Sequence, residues 1–357
     1  MPALRATIQN IRAGDAEQTI HLAPGVTFAL QGSPLAVGAG VAVRLVSDET
    51  GTGGGATIDA QLQSRIFILG IGTNLTTEGV HITGGYTTNE DPDGTGSYTF
   101  AGGALALYPI SAFYGAGLQV PCRMSFSGGS VSRMFVNATA VTRGTGLVVG
   151  GGLIANIPTG ASTGGGASGG TIRFADLELR EITISGQQVM GGLFSGGNWV
   201  FERVMMRSIT VTADAAVSGN LQALTDGSGL IGTDRGGIDG ALIKTSDSLI
   251  IEDSTFVDIH VRALSVQGGL IYNDLGSTAI RNTVFTRCNV SLETVRGPLL
   301  VFLMQETGYA PRGLNPQCRP WPLRPYPPHL WHSHYPVSLQ QPSCARQPSH
   351  QLYTPHL

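Results

Sequence analysis

An eight-residue pattern of apolar and polar positions recurs along the chain. It reads LTTEGVHI at 75–82, MSFSGGSV at 124–131, LELREITI at 177–184, WVFERVMM at 199–206, LIIEDSTF at 249–256 and TAIRNTVF at 278–285. The last position is always apolar: Ile82, Val131, Ile184, Met206, Phe256 and Phe285. The third is apolar except at Thr77, and the fourth is always polar: Glu78, Ser127, Arg180, Glu202, Glu252 and Arg281. Between the windows stands a second marker, paired glycines followed by apolar residues. It occurs at Gly102-Gly103-Ala104-Leu105, Gly151-Gly152-Leu153-Ile154, Gly191-Gly192-Leu193-Phe194 and Gly268-Gly269-Leu270-Ile271, with Asp239-Gly240-Ala241-Leu242 as a variant. The windows are closely spaced twice, from 177 to 199 and from 249 to 278, and widely spaced elsewhere. A unit of roughly 22–29 residues fits all of these spacings if each wide gap counts as two units.

A unit of that size cannot bury a core alone. It holds two or three short strands of period two, separated by glycine turns. Stacked units pair each strand with its counterpart in the next coil and enclose a ladder of Leu, Ile, Val, Phe and Met, which is a β-solenoid. About 300 residues at ~25 per coil predict roughly 12 coils, a rod of ~55–60 Å at ~4.8 Å per strand. The polar fourth positions face out, and the chain order predicts cross-coil ion pairs of Arg180 with Glu202, Glu181 with Arg203 and Glu252 with Arg281. Helix should be very scarce, because no segment of period 3.6 survives the glycines. The competing architecture is one large β-sandwich or barrel with Gly-rich loops.

Composition supports the repeat. Glycine supplies 51 of 357 residues and only 13% are charged, while 41% are hydrophobic, a share too high for an ordinary disordered chain. No strict Gly-X-Y period exists, which excludes collagen, and no apolar run approaches the ~18 residues that span a bilayer. The averages conceal a break. Residues 311–357 hold eleven of the nineteen prolines, five of the eight histidines and no Asp or Glu. The chain therefore reads as a repeat domain over 1–310 and a Pro/His-rich disordered tail over 311–357, or sequence read out of frame. The repeat domain carries a net charge of −7, from 17 basic and 24 acidic residues, with Lys244 its one lysine. Such a balance argues against nucleic acid as a partner, because phosphate neutralisation needs clustered Lys and Arg. Residues 1–8 contain no apolar signal-peptide core.

The stretch Asp15-Ala16-Glu17-Gln18-Thr19-Ile20-His21-Leu22-Ala23-Pro24-Gly25-Val26 resembles the opening coil of right-handed parallel β-helix proteins. Ser64–Ile68 followed by Leu75–Gly85 resembles coils of the pectin-lyase-like superfamily. Gly268–Asn273 with Thr278–Phe285 is similar to the polymorphic outer-membrane-protein type of repeat. The resemblance covers roughly residues 8–300. It implies an all-β fold, a right-handed parallel β-helix, and an extracellular or cell-surface location. Its enzymatic branches act on acidic polysaccharides with clustered Asp on the outer face, and the paired-Asp motifs of the polygalacturonase kind are missing here.

The best remaining constellation is Asp258-Ile259-His260-Val261-Arg262. Alternation puts Asp258, His260 and Arg262 on one strand face, where carboxylate, imidazole and guanidinium could bind a uronate and move a proton. The bland alternative is an exposed polar face with an ordinary ion pair; Asp247 and Asp253 are candidate neighbours. The loop Asn89-Glu90-Asp91-Pro92-Asp93-Gly94-Thr95-Gly96 concentrates oxygen ligands, and Asp91 and Asp93 are the candidate Ca²⁺ ligands, although a plain Asx/Gly turn explains the composition as well. Asp234–Gly240 reads the same way. No G-x-x-x-x-G-K-[ST] exists, so the glycine runs are not a P-loop and no nucleotide cofactor is implied. Cys122 and Cys288 stand about seven coils apart on this reading and cannot pair. Cys318, His329, His332, His334 and Cys344 in the tail have only loose metal spacing. Sequons occur at Asn74, Asn137 and Asn289; Asn137, placed in a turn, is the best acceptor. Two functions follow. One is a non-enzymatic surface solenoid that binds polysaccharide or a cell-surface protein, or acts as a spacer. The other is a lyase or hydrolase of acidic polysaccharide using Asp258, His260 and Arg262. Trp199 is the one tryptophan of the repeat domain that could stack on a sugar.

Overall fold

Short alternating segments cut by glycine can each bury only one face, and the chain satisfies all of them by winding through the same walls repeatedly. The computed structural model describes residues 1–48, 54–88, 99–110, 122–138, 147–158, 170–186, 188–213, 237–245, 247–263, 265–267, 269–273 and 276–292. All lie in one unit, Met1–Arg319; a second unit, Pro320–Leu357, falls wholly outside the described residues, as does the expected boundary at 310/311. The fold is all-β, and every pairing among the described strands is parallel.

A first wall of eight strands runs from Gln18–Leu22 through Ala42–Ser47, Asn74–Glu78, Arg123–Ser127, Thr171–Ala175, Asn198–Glu202 and Leu249–Glu252 to Thr278–Arg281. The second wall begins at Thr27–Ala29 and ends in five long strands: Ser130–Ala138, Glu178–Gly186, Met205–Ala213, Thr255–Ala263 and Val284–Leu292. A third wall holds five strands, from Thr99–Ala101 to Ser265–Gln267, and a fourth holds seven, from Leu35–Val37 to Ile271–Asn273. The chain visits first, second, third and fourth walls in turn and returns to the first; the two earliest circuits skip the third.

The register corrects the expected coil count. Leu75 pairs directly with Met124, and Trp199 with Leu249. Each wide spacing is therefore a single circuit, not two units. The described residues hold eight first-wall strands where division by a short unit gives about 12 coils.

The register also shifts one window. The first-wall partner of Met124 is Ile172, so the third copy reads IRFADLEL at 172–179 rather than LELREITI at 177–184. Both stretches alternate, so periodicity alone cannot choose between them; the strand carrying 178–186 belongs to the second wall. In the corrected frame the third position is Thr77, Phe126, Phe174, Phe201, Ile251 and Ile280, and the last is Ile82, Val131, Leu179, Met206, Phe256 and Phe285. The fourth position is no longer always polar, since Ala175 stands there and is buried.

These columns form the core. Phe126, Phe174 and Phe201 stack with centroids 5.0 and 5.5 Å apart and nearly parallel planes. Phe194 of the fourth wall meets Phe174 and Phe201 at 5.4 and 5.2 Å in tilted contacts. Burying one such side chain is worth ~1.5–3 kcal/mol, and offset or tilted aromatic pairs add ~0.5–1.5 kcal/mol. Trp199 is fully buried beside Phe194, its indole N–H donating to the Gly196 carbonyl, so it offers no outer stacking surface.

One element was not expected. Pro2–Gln9 is an α-helix, with proline in its first turn where no N–H is needed. Leu4 and Ile8, one turn apart, are buried on one face. Between them Arg5 donates to the carbonyls of Pro34 (2.5 Å), Leu30 (2.7 Å) and Ser33. The helix thus packs apolar side chains against the first coil, where a solenoid has no neighbouring coil to cover it.

Candidate functional site

The outer face around Asp258 is built by two columns of left-handed residues. The first stands at the corner between the first and second walls: Gly79, Gly128, Asp176, Arg203, Asp253 and Asn282, with φ from +47° to +63°. Glycine takes this conformation without a steric penalty, and Asp and Asn take it more readily than other residues. The second column lies inside the long second-wall strands: Arg133, Glu181, Ser208, Asp258 and Arg287, with φ from +51° to +55°. Each leaves two adjacent side chains facing out. At the fourth of these strands Val257 and Asp258 both turn outward, while Phe256, Ile259, Val261 and Ala263 face the core.

Asp258, His260 and Arg262 therefore do share the outer face, as expected, with His260 and Arg262 exposed. Asp258 is already engaged. Arg287, its counterpart one coil on, donates from Nε to Oδ1 at 2.5 Å and through a terminal nitrogen to Oδ2 at 2.8 Å. This bond holds the Asp258 carboxyl below the usual carboxylate range, with smaller contributions from the charges of His260 and Arg207. A carboxylate held ionised by a two-pronged guanidinium is a poor proton acceptor. Asp253 also takes a cross-coil bond, from Asn282 Nδ2 at 3.0 Å. Asp247 lies at the opposite end of the strand Leu249–Glu252 from Asp253; its carbonyl accepts from Asn273 Nδ2 at 3.2 Å.

Similar pairs recur along the outer faces. Of the three expected ion pairs, Glu252–Arg281 is present at 3.0 Å. The other two rested on the misplaced window and are replaced. Arg173 bonds Glu202 at 2.6 Å, and Arg203 grips both oxygens of Asp176 at 2.5 and 2.6 Å. Arg180 and Arg207 stand side by side in register, and Glu178 bridges them. Arg180 also bonds Glu181 at 2.5 Å. In the early circuits Arg44 bonds Glu78 at 2.6 Å, and His81 Nδ1 lies 3.0 Å from Ser130 Oγ.

Replacing Arg287 by Gln should let the Asp258 carboxyl titrate at higher pH, closer to an ordinary aspartate. Carbon-detected NMR titration of Asp258 reads this directly, and an unchanged titration would mean the pair does not form in solution. The sign follows from linkage. A depressed folded-state pKa gives stability that is present above the unfolded value and lost as pH falls through the folded one. The pairs are exposed, so the thermal midpoint should move far less than for any core truncation.

The remaining candidates sort as follows. Asp91 and Asp93 lie outside the described residues, as do the tail cysteines and histidines and the side chain of Asp239. Among the described residues no three His, Cys, Asp or Glu side chains gather as a metal site, and no helix is long and apolar enough to cross a membrane. Asn137 lies in the strand Ser130–Ala138 rather than in a turn, with its side chain exposed. Asn289 is exposed in the strand Val284–Leu292, and Asn74 is half-buried at the start of Asn74–Glu78. Cys122 and Cys288 are free thiols, and burial pushes both above their usual range. They sit on the fourth and eighth circuits, four coils apart rather than seven.

Comparison of the chain with protein-family models, with curated proteins and with solved structures gave no match in any of the three.

Proposed function

We propose that this chain is a right-handed parallel β-helix of the pectin-lyase-like, polymorphic outer-membrane-protein repeat type. On this reading it serves as a non-enzymatic extracellular or cell-surface protein, in binding, adhesion or as a rigid spacer. One observation carries the reading: charged side chains on the outer walls are spent on neighbours one coil away. Asp258 with Arg287, Asp176 with Arg203 and Glu252 with Arg281 each join adjacent coils. Catalysis by a carboxylate needs the opposite arrangement, a group poised near its working pKa and aimed at a common point with its partners. A wall of side chains that brace one another presents shape and hydrogen-bonding groups at fixed ~4.8 Å steps, which suits recognition or spacing.

The competing enzymatic reading keeps Asp258, His260 and Arg262 as a site for acidic polysaccharide. An assay separates the two: incubation of the chain, shown folded by its β-rich circular dichroism, with acidic and neutral polysaccharides. The binding or spacer reading expects no new reducing ends above a heat-killed control. Release of reducing ends that disappears in Asp258→Ala and Arg262→Ala would establish the enzyme instead.

A further inference from the structure

Beyond the left-handed residue of each long second-wall strand, the side chains alternate regularly. Positions one and three further on face the core: Ile182 and Ile184, Ile209 and Val211, Ile259 and Val261. Positions two and four further on therefore face out, and they stack in register from coil to coil. The nearer column runs Tyr86, Phe135, Thr183, Thr210, His260 and Asn289. The farther one runs Thr88, Asn137, Ser185, Thr212, Arg262 and Ser291. The columns lie ~6.6 Å apart and successive coils ~4.8 Å apart, so the two form a narrow ribbon ~24 Å long.

Its composition differs from the rest of the wall. None of these twelve positions carries a carboxylate, although Glu178, Glu181 and Asp258 stand in the columns beside them. Ten are uncharged: six Ser or Thr hydroxyls, two Asn amides, and the rings of Tyr86 and Phe135. The neighbouring columns spend their charges on one another, as in Glu178 with Arg207 and Asp258 with Arg287. The hydroxyls of Thr183, Ser185, Thr210 and Thr212, by contrast, take no side-chain hydrogen bond among the described residues. Phe135 is 38% exposed and stands beside Tyr86 in register. A sugar ring presents C–H bonds on its faces and hydroxyls around its rim. An aromatic ring at the end of a ladder of hydroxyls and amides matches both. Charge selects among glycans. The repeat domain is net negative, and the ribbon holds one permanent cation, Arg262, near one end. A polyanion laid along it would meet repulsion over most of its length.

From this register and composition we propose that the ribbon binds a linear neutral polysaccharide lying across the stacked strands. One sugar ring rests on Phe135 and Tyr86, and Thr183, Ser185, Thr210 and Thr212 bond the hydroxyls of the next. The proposal rests on the binding role proposed above and names its face and its ligand class.

Affinity electrophoresis of the full chain through gels that hold mixed-linkage β-glucan or glucomannan tests it, with polygalacturonate as the acidic probe. A neutral glycan should retard the chain. Phe135→Ala and, separately, Thr183→Val/Thr210→Val should each weaken that binding at least ~5-fold. Arg123→Gln, exposed on the first wall, should leave it unchanged. The substituted ribbon side chains are exposed or half-buried, and matching circular dichroism reports that the variants fold. Retardation by polygalacturonate alone would overturn the proposal in favour of an acidic ligand. Equal retardation of wild type and both ribbon variants would overturn it by placing the glycan on another face. Retardation by no glycan would overturn it while leaving a protein ligand or a spacer role standing. Release of reducing ends in the assay above is a separate readout, and it overturns the non-enzymatic reading rather than the ribbon.

Discussion

Gly191→Val should unfold the central coils. Gly191 sits at φ +61°, and a Cβ there would overlap the carbonyl oxygen of Phe194 and stand 2.9 Å from its carbonyl carbon. A β-branched residue in the left-handed region costs ~1–2 kcal/mol before any overlap. The overlap is with backbone, which cannot swing aside as a flexible side chain would. The strand it would displace is hydrogen-bonded in register to both neighbouring coils. A loss upwards of ~3 kcal/mol is expected. Gly196→Ala is the matched control. Gly196 has a similar φ of +68° but nothing within 4 Å of its Cβ, so only the conformational penalty of ~1 kcal/mol applies. Urea denaturation of the two variants reads the difference. Equal losses would mean that the tight passage beside Gly191 does not exist.

Phe174→Ala should be the most damaging truncation in the core, at ~3–5 kcal/mol. Phe174 is stacked between Phe126 and Phe201 and is touched from the far wall by Phe194. Removing the ring leaves a void bounded on three sides by other rings. Strands locked to two neighbouring coils have little room to close in on it. Phe135→Ala, at a ring 38% exposed on the second wall, should cost well under half as much. Thermal or urea unfolding decides this. A Phe174 variant no weaker than the Phe135 variant would place the aromatic column outside the core.

Much of this architecture was legible in the sequence because the interior columns are chemically plain. Five of the six windows fall in the register of the first wall, and the Gly-Gly marker lies on the fourth wall, one residue out of frame at Gly102-Gly103 and at the variant Asp239-Gly240. What failed has a specific cause. At 172–186 two overlapping alternations compete, and only strand pairing shows that Phe174, not Leu179, continues the column of Phe126. That slip also misassigned Arg180 and Glu181. The wide spacings mislead because the chain length between register partners varies from coil to coil: Trp199 pairs with Ile172 on one side and with the far more distant Leu249 on the other. The helix Pro2–Gln9 escapes the periodicity because its apolar signal is confined to Leu4 and Ile8. Asp258, His260 and Arg262 lie on the outward side of one strand, which alternation predicts. Alternation could not show that Arg287, one coil on, would take up the carboxylate. The left-handed corner column was visible only in part: Asp253 and Asn282 fit it by type, Arg203 does not.

The central claim is that coils stack in direct register, so that positions far apart in the chain are immediate neighbours. Val200 and Ile250 are outward-facing partners on adjacent first-wall strands. With Cys122, Cys288, Cys318 and Cys344 changed to serine, Val200→Cys/Ile250→Cys should form a disulfide on mild oxidation, because adjacent strands lie ~4.8 Å apart and a disulfide spans Cα separations of ~4.4–6.8 Å. Mass spectrometry of the digested, unreduced protein should recover the linked 200 and 250 peptides, and no link in Thr76→Cys/Val200→Cys, whose positions are three coils apart. If an extra coil separated Val200 from Ile250, the distance would double to ~9.6 Å. The first pair would then fail to link, and that result would contradict the account.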